Sequence, residues 1–188
     1  MGSDQMVGLL GSDLISGLGG DDILTGDGQA PLPEDNVGND SLFGGEGNDS
    51  LFGDEGNDLL FGGSGNDSLF GGEGAEVLVG VNPRSKNPGF GEQDTLTGGS
   101  ENDVFVLGDK QGNFYEDDGL SDDAEIQSFE VGKDKIQVND VNAIDLVTIP
   151  ASGTSTAYTQ IGFEGDLIAR VFGVTEDQLT TTASFIQA

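Results

Sequence analysis

Residues 44–70 read GGEGNDSLF, GDEGNDLLF and GGSGNDSLF, three consecutive nine-residue units that differ at only a few positions. The period continues on both sides, with GLLGSDLIS from Gly8, GLGGDDILT from Gly17, GGEGAEVLV from Gly71 and GGSENDVFV from Gly98. A repeat this short buries its apolar face only by stacking on its neighbours. The period therefore predicts an elongated stack of coils rather than a conventional globular core.

Two units are longer than the period. QAPLPEDNV follows Gly28, and GVNPRSKNP begins at Gly80. Both inserts contain proline, which cannot donate to a β-ladder and suits an exposed connection. We interpret them as surface loops near residues 29–37 and 80–88, with degenerate repeats as the alternative.

Each unit divides into turn and core positions. Glycine at positions 1, 2 and 4 permits the positive φ angles of a tight turn. Position 8 holds one large apolar residue per unit: Ile15, Leu24, Leu42, Leu51, Leu60, Leu69, Leu78, Leu96 and Phe105. Position 9 of four units holds phenylalanine: Phe43, Phe52, Phe61 and Phe70. Strand alternation turns position 8 inward as the core and position 9 outward, where the rings stack between coils or form a partner surface.

The composition limits the chemistry of the chain. It has 35 acidic and 6 basic residues, a formal net charge of −29, 33 glycines, and neither cysteine nor histidine. So few basic residues argue against nucleic acid or an anionic membrane surface as partner, and no apolar run is long enough to span a membrane. The lack of cysteine and histidine excludes most zinc chemistry. Carboxylate and carbonyl oxygens remain, which are the ligands of a hard cation such as calcium.

The pattern GGxGxDxUx, in which U is a large apolar residue, resembles the RTX (hemolysin-type) calcium-binding nonapeptide repeat over residues 8–106. The resemblance implies an all-β fold, a right-handed parallel β-roll in which two nonapeptides complete one coil. It also implies that several calcium ions bind between turns two units apart.

The resemblance further implies which residues hold the ions. The implied carboxylate ligands are the position-6 aspartates: Asp13, Asp22, Asp40, Asp49, Asp58, Asp67, Asp94 and Asp103. The implied carbonyl ligands are those of Gly38, Gly45, Gly47, Gly53, Glu55, Gly62 and Ser64. Asp40 is expected to pair with Asp58, and Asp49 with Asp67, whereas the other pairings depend on how the inserts are counted. Glu76, Glu92 and Glu101 depart from the repeat, so ion sites near the carboxy-terminal end of the roll are expected to be lost or altered.

After Val106 the period stops and strand-like segments follow. They are EIQSF, DKIQV, IDLVTI, YTQIGF and LIARVF. We expect a β-roll over residues 1–106 and a capping region over 107–188, with an antiparallel β cap that closes the roll. The last two segments, separated by Glu164, Gly165 and Asp166, are expected to form a hairpin with a glycine turn. AEIQSFEVGKDKIQV resembles the segment that follows RTX repeats, which implies a carboxy-terminal secretion signal and export through a type I channel.

These features predict a calcium-binding module that is not an enzyme, folds on calcium binding after export, and serves the secretion, stabilisation or capping of a secreted protein. Its expected location is extracellular or at the cell surface, and its start inside a repeat predicts an upstream domain of a longer parent protein. The alternatives are a structural or adhesive extracellular segment and the non-catalytic tail of a secreted hydrolase. No catalytic residue is expected, because the repeat accounts for its acids and no histidine exists for a Ser/His/Asp set.

Overall fold

The structure is a computed structural model that describes residues 2–9, 11–27, 38–115, 122–152, 155–179 and 184–188. Nearly all the regular structure in these residues is β. Two large sheets contain most of the strands, and their inward side chains form one apolar cluster. The described part of the chain contains no helix with the length and apolar character of a membrane span.

The strands of the two sheets interleave along the chain. In spatial order, the nine-stranded sheet contains β1 (Gln5–Val7), β3 (Ile23–Thr25), β5 (Ser50–Glu55), β7 (Ser68–Glu73), β9 (Gln93–Ser100), β13 (Asp123–Gln127), β17 (Asp166–Phe172), β16 (Tyr158–Phe163) and β15 (Ile144–Ile149). The seven-stranded sheet contains β18 (Phe185–Gln187), β14 (Lys135–Val138), β10 (Val104–Val106), β8 (Val77–Val81), β6 (Leu59–Ser64), β4 (Ser41–Glu46) and β2 (Leu14–Gly19). A small hairpin, β11 (Gly108–Asp109) and β12 (Gly112–Asn113), and a short helix, α1 (Glu176–Leu179), complete the regular structure of the described residues.

Strands of one sheet in the central repeats pair in parallel, two units apart. Leu42 lies opposite Leu60 in the seven-stranded sheet, and Leu51 opposite Leu69 in the nine-stranded sheet. Each coil therefore contributes one strand to each sheet and comprises two nonapeptides. The fold is a parallel β-roll.

The strands of the central coils extend beyond the apolar part of the repeat. Each strand from β4 to β7 spans 6 residues. Pairing continues into the glycine turn, where Gly45 lies opposite Gly63 with φ angles of 120° and 123°. Only glycine adopts this region readily. The equivalent residue of the intervening unit is Asp54, which has a φ of 73°.

Both inserts leave the stacking intact. Leu14 pairs with Ser41, and Ser68 with Thr95. The two partners of each pair are nine residues further apart in the sequence than partners in a regular coil. The insert expected near 29–37 lies outside the described residues. The insert expected from Gly80 begins later, because Gly80 and Val81 still belong to β8. For the second insert, which the structure describes, this spacing favours the loop interpretation over a degenerate repeat.

The position-8 residues form one buried ladder on each sheet, and all nine are buried. The ladders continue past the repeats: Ile126 lies opposite Leu96, and Ile136 opposite Phe105. Burial of such side chains contributes to the stability of each stacked coil.

The parallel stacking does not stop at Val106, where we expected a domain boundary. β13 pairs in parallel with β9, β14 with β10, and β18 with β14. The segments EIQSF and DKIQV are therefore strands of the roll rather than of the antiparallel cap. EIQSF keeps the inward apolar residue of the repeat, and DKIQV keeps in addition the aspartate and, just before it, one turn glycine, Gly132. The full nonapeptide is present at neither, so the period is no longer visible in the sequence.

The antiparallel cap consists of β15, β16 and β17, and it extends the nine-stranded sheet because β17 also pairs in parallel with β13. The expected hairpin between β16 and β17 is present, but its turn consists of Glu164 and Gly165 alone, because Asp166 already belongs to β17. Their φ angles of 53° and 102° are both positive, as a type I′ turn requires. The cap covers the last strand of the roll in this sheet.

Candidate metal centre

The position-6 acids form two rows, one along each set of turns. The first row lies in the turns that lead into the nine-stranded sheet: Asp22, Asp49, Asp67 and Asp94. The second row lies in the turns that lead into the seven-stranded sheet: Asp13, Asp40, Asp58, Glu76, Asp103 and Asp134. All of these except the half-buried Asp13 are buried.

Backbone hydrogen bonds connect each row from coil to coil. The Asp40 N–H donates to Oδ1 of Asp58 at 2.8 Å, and the Asp49 N–H donates to Oδ1 of Asp67 at 2.8 Å. The structure therefore brings together the two pairs expected from the sequence. This bond holds Oδ1 of the accepting aspartate, whereas its Oδ2 takes no part in the bond.

The pairings that the sequence left open follow from the strand register. Partners separated by 27 residues lie on neighbouring coils, with N–H to Oδ1 distances of 2.7 to 2.8 Å, in the pairs Asp13–Asp40, Asp22–Asp49 and Asp67–Asp94. Each pair spans an insert. The rows are therefore continuous through both longer units.

The second oxygen of most row carboxylates is buried without a protein partner. This holds for Oδ2 of Asp22, Asp40, Asp49, Asp58, Asp67 and Asp103. A buried ionised carboxylate that lacks a partner is costly, and such groups are normally paired or coordinate a metal. The same orphaned atom at the same place in successive turns indicates a cation site between turns.

The space beside each orphaned oxygen also suits a cation. A β-carbon on Gly44 would lie against Oδ2 of Asp49 and 2.5 Å from the carbonyl oxygen of Gly62 in the next coil. The same arrangement recurs at Gly17, Gly26, Gly53 and Gly62. Glycine at position 1 thus keeps open a small space bordered by a carboxylate and a carbonyl oxygen. These donors fit calcium, which takes six to eight oxygen ligands.

The other expected carbonyl ligands lie between the same turns. The carbonyls of Gly45 and Gly47 face Gly63 and Gly65 of the next coil. The Ser64 carbonyl accepts a hydrogen bond of 2.8 Å from the Gly47 N–H, so one of its two lone pairs is already used.

The remaining carbonyls border the second row. The Gly53 carbonyl faces Gly26, and the Gly38 carbonyl faces Gly56. Glu55, the last of the expected carbonyl ligands, ends β5. Within the described residues, no three acidic side chains converge on one point. An ion at any step would therefore meet carboxylates from two turns and take its remaining ligands from carbonyls.

Burial makes the rows unfavourable without a cation. Desolvation, together with repulsion from neighbouring carboxylates, raises the pKa of Asp58 to about 6 and that of Asp67 to about 8. The ion pairs found among the described residues, Lys133–Glu130, Arg170–Asp123 and Arg170–Glu125, involve no row carboxylate. The rows therefore hold negative charge that these basic side chains do not compensate.

Glu76 and Asp94 differ from the interior aspartates of the rows. Glu76 leaves both carboxylate oxygens without a hydrogen-bond partner. Asp94, which we expected to act like the other aspartates, has its Oδ2 bonded to the Tyr115 hydroxyl at 2.5 Å. The carboxy-terminal end of the first row is therefore built differently from its middle.

Sequence reasoning missed Asp4 and Asp134, which extend the first and the second row, and Asp27, a buried acid outside the position-6 rows. The Asp4 N–H donates to Oδ1 of Asp22 at 2.7 Å. Asp134 continues the second row, because the Asp103 N–H donates to its Oδ1 at 3.1 Å; the string GKDKI around it keeps the turn glycine, the aspartate and the apolar residue of the repeat. Asp27 is 2% exposed with both oxygens unpartnered, and desolvation raises its pKa. It stands at position 2 of its unit, where the repeat pattern gave no reason to expect a buried acid.

Comparisons with known proteins identify the family of the repeats. The family model for the RTX calcium-binding nonapeptide repeat matches in four copies, over residues 1–30, 35–69, 52–81 and 89–109, just over half of the 188 residues. The solution structure of the AlgE6R3 subunit from the Azotobacter vinelandii mannuronan C5-epimerase matches with 18% identity over 100% of this chain and 79% of that chain, but its TM-score of 0.34 is too low to support an argument. A comparison with curated proteins finds no match. On its repeats, the chain belongs to the RTX calcium-binding nonapeptide repeat family.

Proposed function

We propose that this calcium-binding module is a folding switch, in which calcium ions between successive turns of the two rows hold the roll together outside the cell. The observation that carries the proposal is the repeated buried Oδ2 without a partner, next to a carbonyl oxygen of the following coil. Bound calcium supplies the positive charge that these oxygens lack.

The energetics of the chain support a switch. A formal charge of −29 repels itself in any compact state. Ordering costs about 1–2 kcal/mol per residue, and the many glycines raise this cost, whereas each coil buries few large side chains. An ion that binds only the folded chain adds stability in proportion to the logarithm of its concentration. Extracellular calcium sites have affinities of about 10⁻⁴ to 10⁻³ M, which would leave the module unfolded where calcium is scarce.

This switch suits a non-catalytic role in a secreted or cell-surface protein. An unfolded chain is the form that passes a type I export channel, and folding outside stabilises or caps what has been exported. The repeat acids face the rows and the backbone, so they are engaged in structure rather than aimed into a substrate cleft.

The test is a calcium titration of the chelator-stripped chain followed by far-ultraviolet circular dichroism, with magnesium as the control and ions counted by native mass spectrometry. A cooperative change from coil to β near millimolar calcium, absent with magnesium, is the expected result. A chain that is fully folded in chelator contradicts the switch. A chain that binds no calcium contradicts the proposal as a whole.

A further inference from the structure

At the carboxy-terminal end of the first row, a side-chain hydroxyl lies at the place where the earlier turns have a backbone carbonyl oxygen. At Gly44, a β-carbon would meet Oδ2 of Asp49 and the carbonyl oxygen of the next coil. At Gly80, it would instead meet Oδ2 of Asp94 and the hydroxyl oxygen of Tyr115. The tyrosine hydroxyl thus lies at the place that the repeat otherwise gives to a ligand of the cation site.

Both oxygens of Asp94 have protein partners. Its Oδ1 accepts the Asp67 N–H at 2.8 Å, like every other link of the row. Its Oδ2 accepts the hydroxyl proton of Tyr115 at 2.5 Å, and both side chains are buried. The carboxylates of Asp49 and Asp67 keep an unpartnered Oδ2. The Tyr115 hydroxyl therefore satisfies at Asp94 the oxygen that the interior aspartates leave for a cation.

The surrounding chain holds Tyr115 in this position. Its backbone N–H donates to the Pro88 carbonyl at 2.9 Å, and its ring packs on Gly89, where a β-carbon would lie 2.6 Å from the ring. In the next coil of the sheet, the residue opposite Asp94 is Ala124, which has no carboxylate. Among the described residues, the strand register therefore places no carboxylate directly opposite Asp94 in that coil.

The second row ends in a similar way. Asp134 accepts the Asp103 N–H with Oδ1 and the Glu130 N–H with Oδ2, at 3.1 Å and 2.7 Å. Its second oxygen is therefore also satisfied by the chain. Each row thus ends at a carboxylate whose two oxygens both accept protein hydrogen bonds, whereas the interior aspartates leave one oxygen for a cation.

We propose that the Tyr115 hydroxyl terminates the first row of calcium sites, by taking at Asp94 the place that a calcium ion takes at the interior aspartates. The inference rests on the proposed function, because it assumes that the interior steps hold calcium. Since the hydroxyl belongs to the chain, it stabilises this end of the row at any calcium concentration. The row then needs no ion beyond the step between Asp67 and Asp94.

The test compares Y115F with Y158F, which removes the hydroxyl of the other tyrosine, on β16 in the cap. Urea unfolding at a fixed, saturating calcium concentration measures the folding equilibrium constant, and native mass spectrometry counts bound ions. Y115F is expected to lower the folding constant roughly 10- to 100-fold, the usual range for a hydrogen bond to a charged group, with no fewer ions than wild type. Y158F is expected to match wild type in both measurements.

A loss of one ion in Y115F would show that the hydroxyl is a calcium ligand and would overturn the inference, as would equal behaviour of Y115F and Y158F. If Y115F does not fold, the double variant D94N/Y115F decides, because an amide at Asp94 removes the buried charge that needs the hydroxyl. Recovery of calcium-dependent folding supports the inference, and its absence overturns it. A wild-type chain that binds no calcium contradicts the proposed function, which is a separate outcome.

Discussion

Glu76 and Asp103 occupy one step of the second row, where the Glu76 N–H donates to Oδ1 of Asp103 at 3.1 Å. The corresponding bond between Asp40 and Asp58 measures 2.8 Å. Glutamate has one methylene more than aspartate, and both of its carboxylate oxygens lie buried without a hydrogen-bond partner. Burial and the neighbouring Asp103 raise the pKa of Glu76. The row is continuous through this step, but its carboxylate geometry differs from that of the regular steps.

Shortening this side chain should strengthen calcium binding. In Glu76→Asp the carboxylate takes the position it has in the other turns, so we expect higher resistance to urea at a fixed calcium concentration. Glu46→Asp removes the same methylene from an exposed acid of a similar turn and should change little. Equal or weaker calcium binding by the Glu76 variant, measured by calorimetry, would contradict the prediction.

Removing a row carboxylate should have opposite effects with and without calcium. Asp49→Asn deletes a charge that is buried and, without calcium, unpartnered at Oδ2, so the calcium-free fold should gain stability while the calcium-loaded fold loses stability and at least one ion. Asp145→Asn alters an exposed acid of β15 and is the control. Urea unfolding in chelator and in calcium measures the change in stability of the variant under each condition. A change of the same sign in both conditions would contradict the cation site.

The calcium-free fold should weaken as pH rises. The pKa of Asp67 is about 8 in the folded chain, and that of Asp58 about 6, whereas an unfolded aspartate titrates near about 3.9. The folded state therefore binds more protons, and the stability that these groups contribute is complete below about pH 4 and is lost as pH rises to about 8. Circular dichroism in chelator at several pH values tests this.

Calcium binding should show the opposite trend. Calcium competes with the protons on the row carboxylates, so the calcium concentration at the folding midpoint should fall between about pH 5 and about pH 8. A midpoint that is independent of pH would indicate that the row carboxylates are already ionised before calcium binds.

The outward phenylalanines stack in pairs, and this stacking should be measurable. The Phe52 and Phe70 rings lie 5.0 Å apart at an interplanar angle of 4°, and Phe43 and Phe61 form a matching pair at 5.2 Å. A double-mutant cycle with leucine at Phe52 and Phe70 should give a coupling energy of about 0.5–1.5 kcal/mol. Leucine at the exposed Phe90 is the control. Absence of coupling would favour the alternative, that these rings serve a partner.

Arg170 joins the cap to the roll and should be sensitive to a conservative change. Its guanidinium on β17 contacts both carboxylate oxygens of Asp123 on β13 at 2.6 Å. Lysine keeps the charge but not the bidentate geometry, so Arg170→Lys should lower the free energy of unfolding by about 1–3 kcal/mol. Arg84→Lys changes an exposed arginine and should have little effect. Equal thermal stability of the two variants would contradict this role.

The repeat predicted most of the roll because each nonapeptide contains its own turn glycine, inward apolar residue and acidic residue. The stacked core from Ile15 to Phe105 follows from the period, whereas the pairs Asp40–Asp58 and Asp49–Asp67 were implied by the resemblance to the RTX repeat. The later strands were not predictable as part of the roll, because the nonapeptide pattern is absent from the sequence between Val106 and Ile126, which pairs with Leu96. Tyr115 lies outside the period, so nothing in its sequence neighbourhood pointed to Asp94.

Row aspartates that are 27 residues apart are hydrogen-bonded across an insert, so the roll accepts a longer turn at these places. Strands on either side of an insert meet as if it were absent, so the length of a turn and the stacking of the coils are independent variables. The entropy of closing a longer loop grows only slowly, by about 0.6 kcal/mol per doubling of length. Foreign segments grafted between β8 and β9 should therefore be displayed on the outside of the roll while the coils beneath them keep their register.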